Sequence, residues 1–369
     1  MEYKQYQLET ITPVCISSGE KLSPITDFFI EDNHIHIVDQ IKLDDEIRKK
    51  QLMNKYIQKI HQTKDNENFK LKLFIENHLG DANHYIKYSI PYLNQKGYKQ
   101  THLQTHIKTN DSLYIPGTSF KGAIKSALFY HWLTNNKEGE KALNAIIEFL
   151  KKKVDKGQLK KEWNKLEEKY LQHKDSDGRF LFSDLSISDS DPITEESPVV
   201  FYTQRIHMKN KQGIPQLKEC INKNEKATFR MKADNFNLTQ SLNRFAYNAI
   251  LTEQEILEDE AKGFVDAAVR PQLNSFYENI LDDIDALEHS NSNTYYLRIG
   301  SGKSYFDNSV GMAIFERDKD AFFQLRKTEN LGKAPGEKNF KPRFVFPITR
   351  SLIDQTFEPT GWIKIGLNQ

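Results

Sequence analysis

Ile115-Pro116-Gly117-Thr118-Ser119-Phe120-Lys121-Gly122-Ala123-Ile124-Lys125-Ser126-Ala127-Leu128 is the most sharply patterned stretch of the 369-residue sequence. Pro116-Gly117 breaks the chain, and Thr118 or Ser119 offers a hydroxyl that can cap a helix N-terminus. Phe120, Ile124, Ala127, Leu128 and His131 then recur at three- and four-residue intervals, which marks one apolar helix face. Lys121 and Lys125 are four apart and share a face near the helix's positive end. Gly117 and Gly122 let another backbone approach closely. The residues alone leave two readings open: a phosphate cradle, or a well-capped helix packed on a sheet.

Working outward, Tyr6 to Val14 alternates apolar and polar as a strand does, and Ser17-Ser18-Gly19 turns the chain. Phe28-Phe29-Ile30 and Ile35, Ile37 and Val38 form a hairpin about Asp32-Asn33. Leu43 to Ile60 and Phe69 to Leu79 have helical spacing, and Tyr85 to Tyr92 returns to strand, ending near Pro91. Two further helices, Glu138 to Lys152 and Gln158 to Gln172, end at Asp175-Ser176-Asp177-Gly178. Strands are predicted at Phe180 to Ile187, Val199 to Ile206, Ala227 to Met231 and Tyr295 to Ile299, with Leu238 to Leu287 mostly helical. Short strands close the chain at Phe344 to Pro347 and Trp362 to Ile365. Strands, helices and strands again, twice over, indicate two α+β units rather than a doubly wound parallel sheet. A length near 370 residues fits two to three domains at about 150 residues each.

Lys and Arg number 52 against 51 Asp and Glu, a net charge of +1, which excludes a globally basic nucleic-acid coat but not a local basic patch. Hydrophobic residues are only 38%, yet 23 Phe and 16 Tyr supply bulk for a core. No stretch approaches the ~18 apolar residues of a membrane span, and Met1 to Tyr6 lacks the apolar run of a secretory signal. Cys15 and Cys220 cannot build a disulfide framework or a four-cysteine zinc site, so a cytoplasmic protein with reduced thiols is expected.

A second small-residue turn, Gly300-Ser301-Gly302-Lys303-Ser304, follows a strand. A P-loop would need glycine five residues before the Gly-Lys-Ser, where Leu297 stands, so nucleotide hydrolysis fails on spacing. What remains is a turn between Arg298 and Lys303 that leads toward a helix near Asp307. Exposed backbone N–H groups beside two cations suit a phosphodiester, and a tight turn with two solvated cations is the structural alternative. His102 and His106 have i,i+4 spacing but no following glutamate, and their stretch is Thr-rich, which argues against a zinc hydrolase. His34 and His36 read as exposed strand residues. Lys151-Lys152-Lys153 and Lys160-Lys161 interleave with Glu162, Glu167 and Glu168 as a solvated helix face does. The Lys209 to Lys232 stretch, flanked by Tyr202, Phe229 and Met231, offers stacking groups beside cations and is a second nucleic-acid candidate. No catalytic set, metal site or cofactor motif stands out.

Taken together these pieces resemble the RAMP superfamily of CRISPR proteins, most closely the family that supplies the fifth subunit of type III-A Csm complexes. Thr12-Pro13-Val14-Cys15-Ile16-Ser17-Ser18-Gly19 is similar to the opening strand and turn, with Cys15 where histidine is usual and Ser17 where glycine is usual. The Ile115 to Leu128 segment matches the helix start, the most specific motif. Phe182-Ser183-Asp184-Leu185 falls where a strand commonly ends in aspartate. Ile299-Gly300-Ser301-Gly302-Lys303 resembles the late glycine-rich loop. Pro347-Ile348-Thr349-Arg350 and Gly361-Trp362-Ile363-Lys364 resemble the closing segment.

The resemblance implies an α+β chain of two ferredoxin-like (RRM-like) RAMP domains with helical insertions, divided as 1–190 and 191–369. It implies a non-catalytic subunit that binds CRISPR RNA (crRNA), caps the assembly near the crRNA 3′ end and is needed for its maturation in antiviral defence. The implied partners are crRNA, the Csm backbone and small subunits, and recruited trimming nucleases. The expected RNA contacts are Gly117, Thr118, Ser119, Lys121, Gly122 and Lys125 on the first segment, with Arg298, Gly300, Ser301, Gly302 and Lys303 on the second. Such contacts would grip sugar-phosphate rather than read base edges, as a guide of any sequence requires. A repeat-processing, metal-independent endoribonuclease of the same fold is the alternative, and a protein scaffold with ordinary surface cations is a third.

Overall fold

The computed structural model describes residues 2–63, 70–93, 101–152, 154–171, 185–194, 196–207, 213–233, 237–258, 269–290, 293–333, 338–340, 346–354 and 356–367. Asp184, the 175–178 helix end and Phe344-Val345 lie outside the described residues.

The chain opens with β1 (Lys4–Thr10), β2 (Ser17–Leu22), β3 (Phe28–Glu31) and β4 (His34–Val38). Helices α1 (Gln40–Lys49), α2 (Met53–Thr63) and α3 (Leu71–His78) follow, then β5 (Ile86–Pro91), β6 (Leu103–His106), β7 (Lys108–Thr109) and β8 (Ser112–Leu113). Next come α4 (Gly117–Asn135), α5 (Lys137–Lys151), α6 (Lys156–Leu171) and β9 (Ser186–Ile187). The second half holds β10 (Pro198–His207), β11 (Gly213–Ile221), β12 (Lys226–Lys232), α7 (Leu238–Glu258), α8 (Arg270–His289) and β13 (Thr294–Arg298). It ends with α9 (Gly311–Arg317), α10 (Lys319–Glu329), β14 (Thr349–Ile353) and β15 (Trp362–Leu367).

Two five-stranded sheets carry the architecture, ordered β13-β15-β1-β12-β9 and β14-β10-β11-β6-β2, beside a small β3-β4-β5 sheet and the β7-β8 pair. Each large sheet takes strands from both sides of residue 190, so the halves 1–190 and 191–369 are interleaved through the sheets. The apolar stripe read on α4 is buried: Phe120, Ile124 and Ala127 are inaccessible to solvent. Phe120 stacks on Phe229 of β12 at 4.6 Å, and Phe229 on Tyr6 of β1 at 5.7 Å, which ties α4 to the first sheet. On the second sheet, Val200, Tyr202, Leu103 and Leu217 pack against Phe28, Ile35 and Ile90 of the small sheet. Its other face carries Val199, Phe201, Cys220 and Ile353 beside Cys15.

Several elements depart from the sequence expectation for definable reasons. The 43–60 helix divides at Gln51, whose φ of 56° ends α1 before α2 begins. The hairpin turn is as expected, with Asp32 and Asn33 both at positive φ (46° and 59°), the pairing geometry of a tight primed turn. The described part of the Lys-rich 209–232 stretch is β11 and β12 joined by a turn at 222–225. Pro215 is tolerated in β11 because β6 pairs only with Leu217 and Lys218, leaving one side of Pro215 without a ladder partner. Helix α10, unread in the sequence, is capped by Asp318, whose Oδ1 accepts from the Ala321 N–H at 2.8 Å, and it ends at left-handed Asn330.

Candidate nucleic-acid interface

Neither Thr118 nor Ser119 caps α4, because the helix starts earlier, at Gly117. The cap comes from elsewhere: Asp189 Oδ1 accepts from the Gly117 N–H at 2.7 Å, and Ser190 Oγ accepts from the Ile115 N–H at 2.9 Å. Gly117 is required by this contact, since a Cβ would sit 2.6 Å from the Ile187 carbonyl oxygen. The first turn therefore faces its own chain on one side and solvent on the other. Thr118, Lys121 and Gly122 are exposed, and Ser119 and Lys125 are half-buried. The two lysines are not equivalent. Lys125 Nζ is paired with Glu167 Oε1 of α6 at 2.7 Å, whereas Lys121 has no side-chain partner among the described residues.

The second segment is more deeply embedded than its sequence suggests. Arg298, expected to meet phosphate, has its guanidinium committed within the chain: it is 4% exposed and braces the loop from inside. Its Nε donates to the Thr360 carbonyl at 3.0 Å, its Nη2 to the Gly302 carbonyl at 2.8 Å, and its Nη1 to Asp307. The glycines are likewise committed to the chain's own packing. Gly300 has φ +72°, and a Cβ there would lie 2.4 Å from the Cys15 carbonyl oxygen. Gly302 has φ +112° and abuts Thr360. The Ser301 N–H, expected to face a ligand, donates instead to the Cys15 carbonyl at 2.8 Å. Ser301 and Lys303 remain half-exposed, and Lys303 has no hydrogen-bond or ion-pair partner among the described residues. Burial lowers the Lys303 pKa, with Asp307 opposing.

The two segments do not close into one cradle. Ile187 is level with Lys4 through Met231, while Arg298 is level with the residue after Thr10 through Trp362. Four strand spacings of ~4.8 Å and about seven residues of ~3.3 Å put them roughly 30 Å apart on an ideal sheet. Helix α4 spans part of that gap. Lys125 and Ser126 share a cavity of about 620 Å³ with Lys160 and Trp163 of α6 and with Tyr305 and Asn308 beyond the glycine loop.

The aromatic groups flanking the 209–232 stretch are not stacking platforms, because Tyr202, Phe229 and Met231 are all at most 2% exposed. The stretch contributes instead Lys218, which sequence reading did not single out. It is 4% exposed on β11, and its Nζ reaches Ser301 Oγ at 3.4 Å. Only alternation along a correctly assigned β11 would have found it.

The early segment is held by His106. Its Nδ1 accepts from the Ile16 N–H and its Nε2 donates to the Tyr114 carbonyl, both at 3.1 Å, so the ring is neutral. Burial, opposed by the Tyr114 hydrogen bond, brings its pKa down to about 4. No group of three metal-ligating side chains occurs among the described residues. The expectation of two reduced thiols is also corrected: Cys15 and Cys220 are bonded, with Cα atoms 4.4 Å apart. The Val14–Ile221 bridge places them opposite each other across 205 residues of sequence.

Comparison with known proteins agrees with this architecture. The chain is 26% identical over 98% of its length to the CRISPR system Cms protein Csm5 of Methanocaldococcus jannaschii, covering 88% of that protein. Its fold matches, over the full length of both chains, a chain in the cryo-EM structure of a Csm–crRNA–target RNA ternary complex of a type III-A CRISPR-Cas system (TM-score 0.67, 22% identity). It also matches the crystal structure of T. onnurineus Csm5 (TM-score 0.56, 21% identity), covering 97% of this chain and 99% of that one. The pattern of the RAMP superfamily matches residues 7–306, and the chain belongs to that superfamily.

Proposed function

We propose that this chain is a non-catalytic, RNA-binding subunit of a type III-A CRISPR (Csm) effector complex. In this role it caps the assembly near the crRNA 3′ end, is needed for crRNA maturation, and meets the backbone and small subunits and recruited trimming nucleases. The observation that carries the proposal is Lys121, an exposed ammonium without an ion-pair partner among the described residues, at the start of the second turn of the motif helix of a Csm5-like chain. Lys303, half-buried at the glycine loop, is a second cation without an ion-pair partner among the described residues. Both suit phosphate contacts that position a strand without reading its bases. Near-neutral net charge is compatible, since only one track of cations has to face RNA.

Sheets with strands drawn from both ends of the chain are read here as two ferredoxin-like units that share strands, and the cytoplasm as the place where such a ribonucleoprotein works. Among the described residues, the early segment offers the endoribonuclease alternative no free base. Cys15 is bonded and His106 has both ring nitrogens engaged, so neither is poised as a general base.

The test is the reconstituted complex with Lys121→Ala, Lys125→Ala and the double variant. Crosslinking to crRNA should weaken for Lys121→Ala and less for Lys125→Ala, because Glu167 already neutralises Lys125. Removing one lysine–phosphate pairing should flatten the log–log salt dependence of single-strand binding by about 0.7. Wild-type crosslinking and crRNA length in the double variant would overturn the proposal.

A further inference from the structure

Across the second large sheet, Lys21 of β2, Gln104 of β6, Lys218 of β11 and Phe201 of β10 stand in register. Residues opposite one another on paired strands share a face. This is the face that carries the Cys15–Cys220 cluster and the glycine loop, since Phe201 and Cys220 belong to that cluster. Arg205, four residues along β10 from Phe201, lies on the same face, and its Nε donates to Thr349 Oγ1 at 3.2 Å.

Lys218 is the anomaly of this face. A side chain of this length is ordinarily buried only with a carboxylate for company. Lys218 is 4% exposed, and among the described residues its Nζ has one hydrogen bond, to Ser301 Oγ, and no carboxylate partner. Among the described residues, the charges that register places on its face are Arg205 on β10 and, at the sheet edge, Lys21 on β2. Glu219, next along β11, points to the other face and is paired with Lys108 Nζ at 2.6 Å. Burial and the like charge of Arg205 bring the Lys218 pKa down to about 8. Cations are thus gathered beside a hydroxyl with no anion among the described residues beside them.

We propose that Lys218, with Ser301 Oγ beside it and Arg205 flanking, receives one phosphodiester of a bound single-stranded RNA. A phosphate oxygen supplies the acceptor that the ammonium lacks, and Ser301 Oγ donates to a second oxygen of the same group. The placement gives the glycine loop a ligand contact through its side chain, although the Ser301 N–H is turned inward. It rests on the proposed RNA-binding role and names the residue that anchors the strand at this loop.

Fluorescence anisotropy of the full chain with a labelled, mixed-sequence single-stranded RNA tests it, using wild type, Lys218→Met and Lys218→Arg. Lys218→Met should weaken binding at pH 7 by about fivefold or more and flatten the salt slope by about 0.7. Without RNA the same variant should melt at a higher temperature, because it removes a buried, uncompensated charge. Wild-type affinity should fall as pH rises from 7 to 9, whereas Lys218→Arg should hold its affinity over that range. Unchanged affinity, slope and pH profile in Lys218→Met, with wild type binding RNA, would overturn this assignment and leave the RNA-binding role standing. Inorganic phosphate that raises the wild-type but not the Lys218→Met melting temperature, while both bind RNA equally, would make the site one for free phosphate and also overturn it. Failure of wild type to bind RNA would overturn the RNA-binding role, and this assignment with it.

Discussion

Arg298 and Asp307 form a buried ion pair, 4% and 7% exposed, directly beneath the glycine loop. The guanidinium also holds the Thr360 and Gly302 carbonyls, so one side chain fixes the loop to the strand that ends before it and to the turn that precedes β15.

From that pair follows a distinction between bracing and binding. Arg298→Ala leaves Asp307 buried without its cation and should cost about 3–5 kcal/mol, read by urea denaturation. Replacing both residues by leucine should recover much of the loss, because no charge is then left unpaired. At temperatures where Arg298→Ala remains folded, its salt slope for RNA should equal that of wild type. A flattened slope there would make Arg298 a phosphate ligand after all.

His106 makes stability depend on mild acid. Its folded pKa of about 4 lies below the value near 6.5 of an unfolded chain, so the unfolded state takes up the proton first as pH falls. Stability should therefore be full above pH 6.5 and decline by about 3 kcal/mol on the way to pH 4. In His106→Leu that decline should shrink. The variant should also start about 1–3 kcal/mol lower, because the Ile16 N–H and the Tyr114 carbonyl lose their partner. Denaturation curves at pH 7, 5.5 and 4.5 for both proteins check this.

The Cys15–Cys220 bond closes a loop of 205 residues and joins the segment after β1 to β11 of the second sheet. On chain-entropy grounds its removal by reduction, or by Cys15→Ser with Cys220→Ser, should lower stability by up to about 5 kcal/mol. The Cys15 carbonyl receives the Ser301 N–H, so the glycine loop should also loosen, seen as faster amide exchange at Ser301 in the reduced protein. Equal stability with and without reductant would remove the bond from any account of this fold.

The sequence alone determined the elements whose causes are local. The Asp32-Asn33 hairpin, the α4 stripe of Phe120, Ile124 and Ala127, and the strand entering Gly300 each arise from neighbours in the chain, through turn chemistry and periodicity. The likeness to RAMP proteins could be read for the same reason, since its motifs are contiguous. Tertiary structure decided which polar groups on those motifs remain available. Asp189 rather than Thr118 caps α4, Glu167 occupies Lys125, Asp307 occupies Arg298, and Lys218 is brought beneath Ser301 from 83 residues away. Apart from Arg298–Asp307, nine residues apart, these are relations between elements distant in sequence, set by helix packing and sheet register, and no local pattern encodes them.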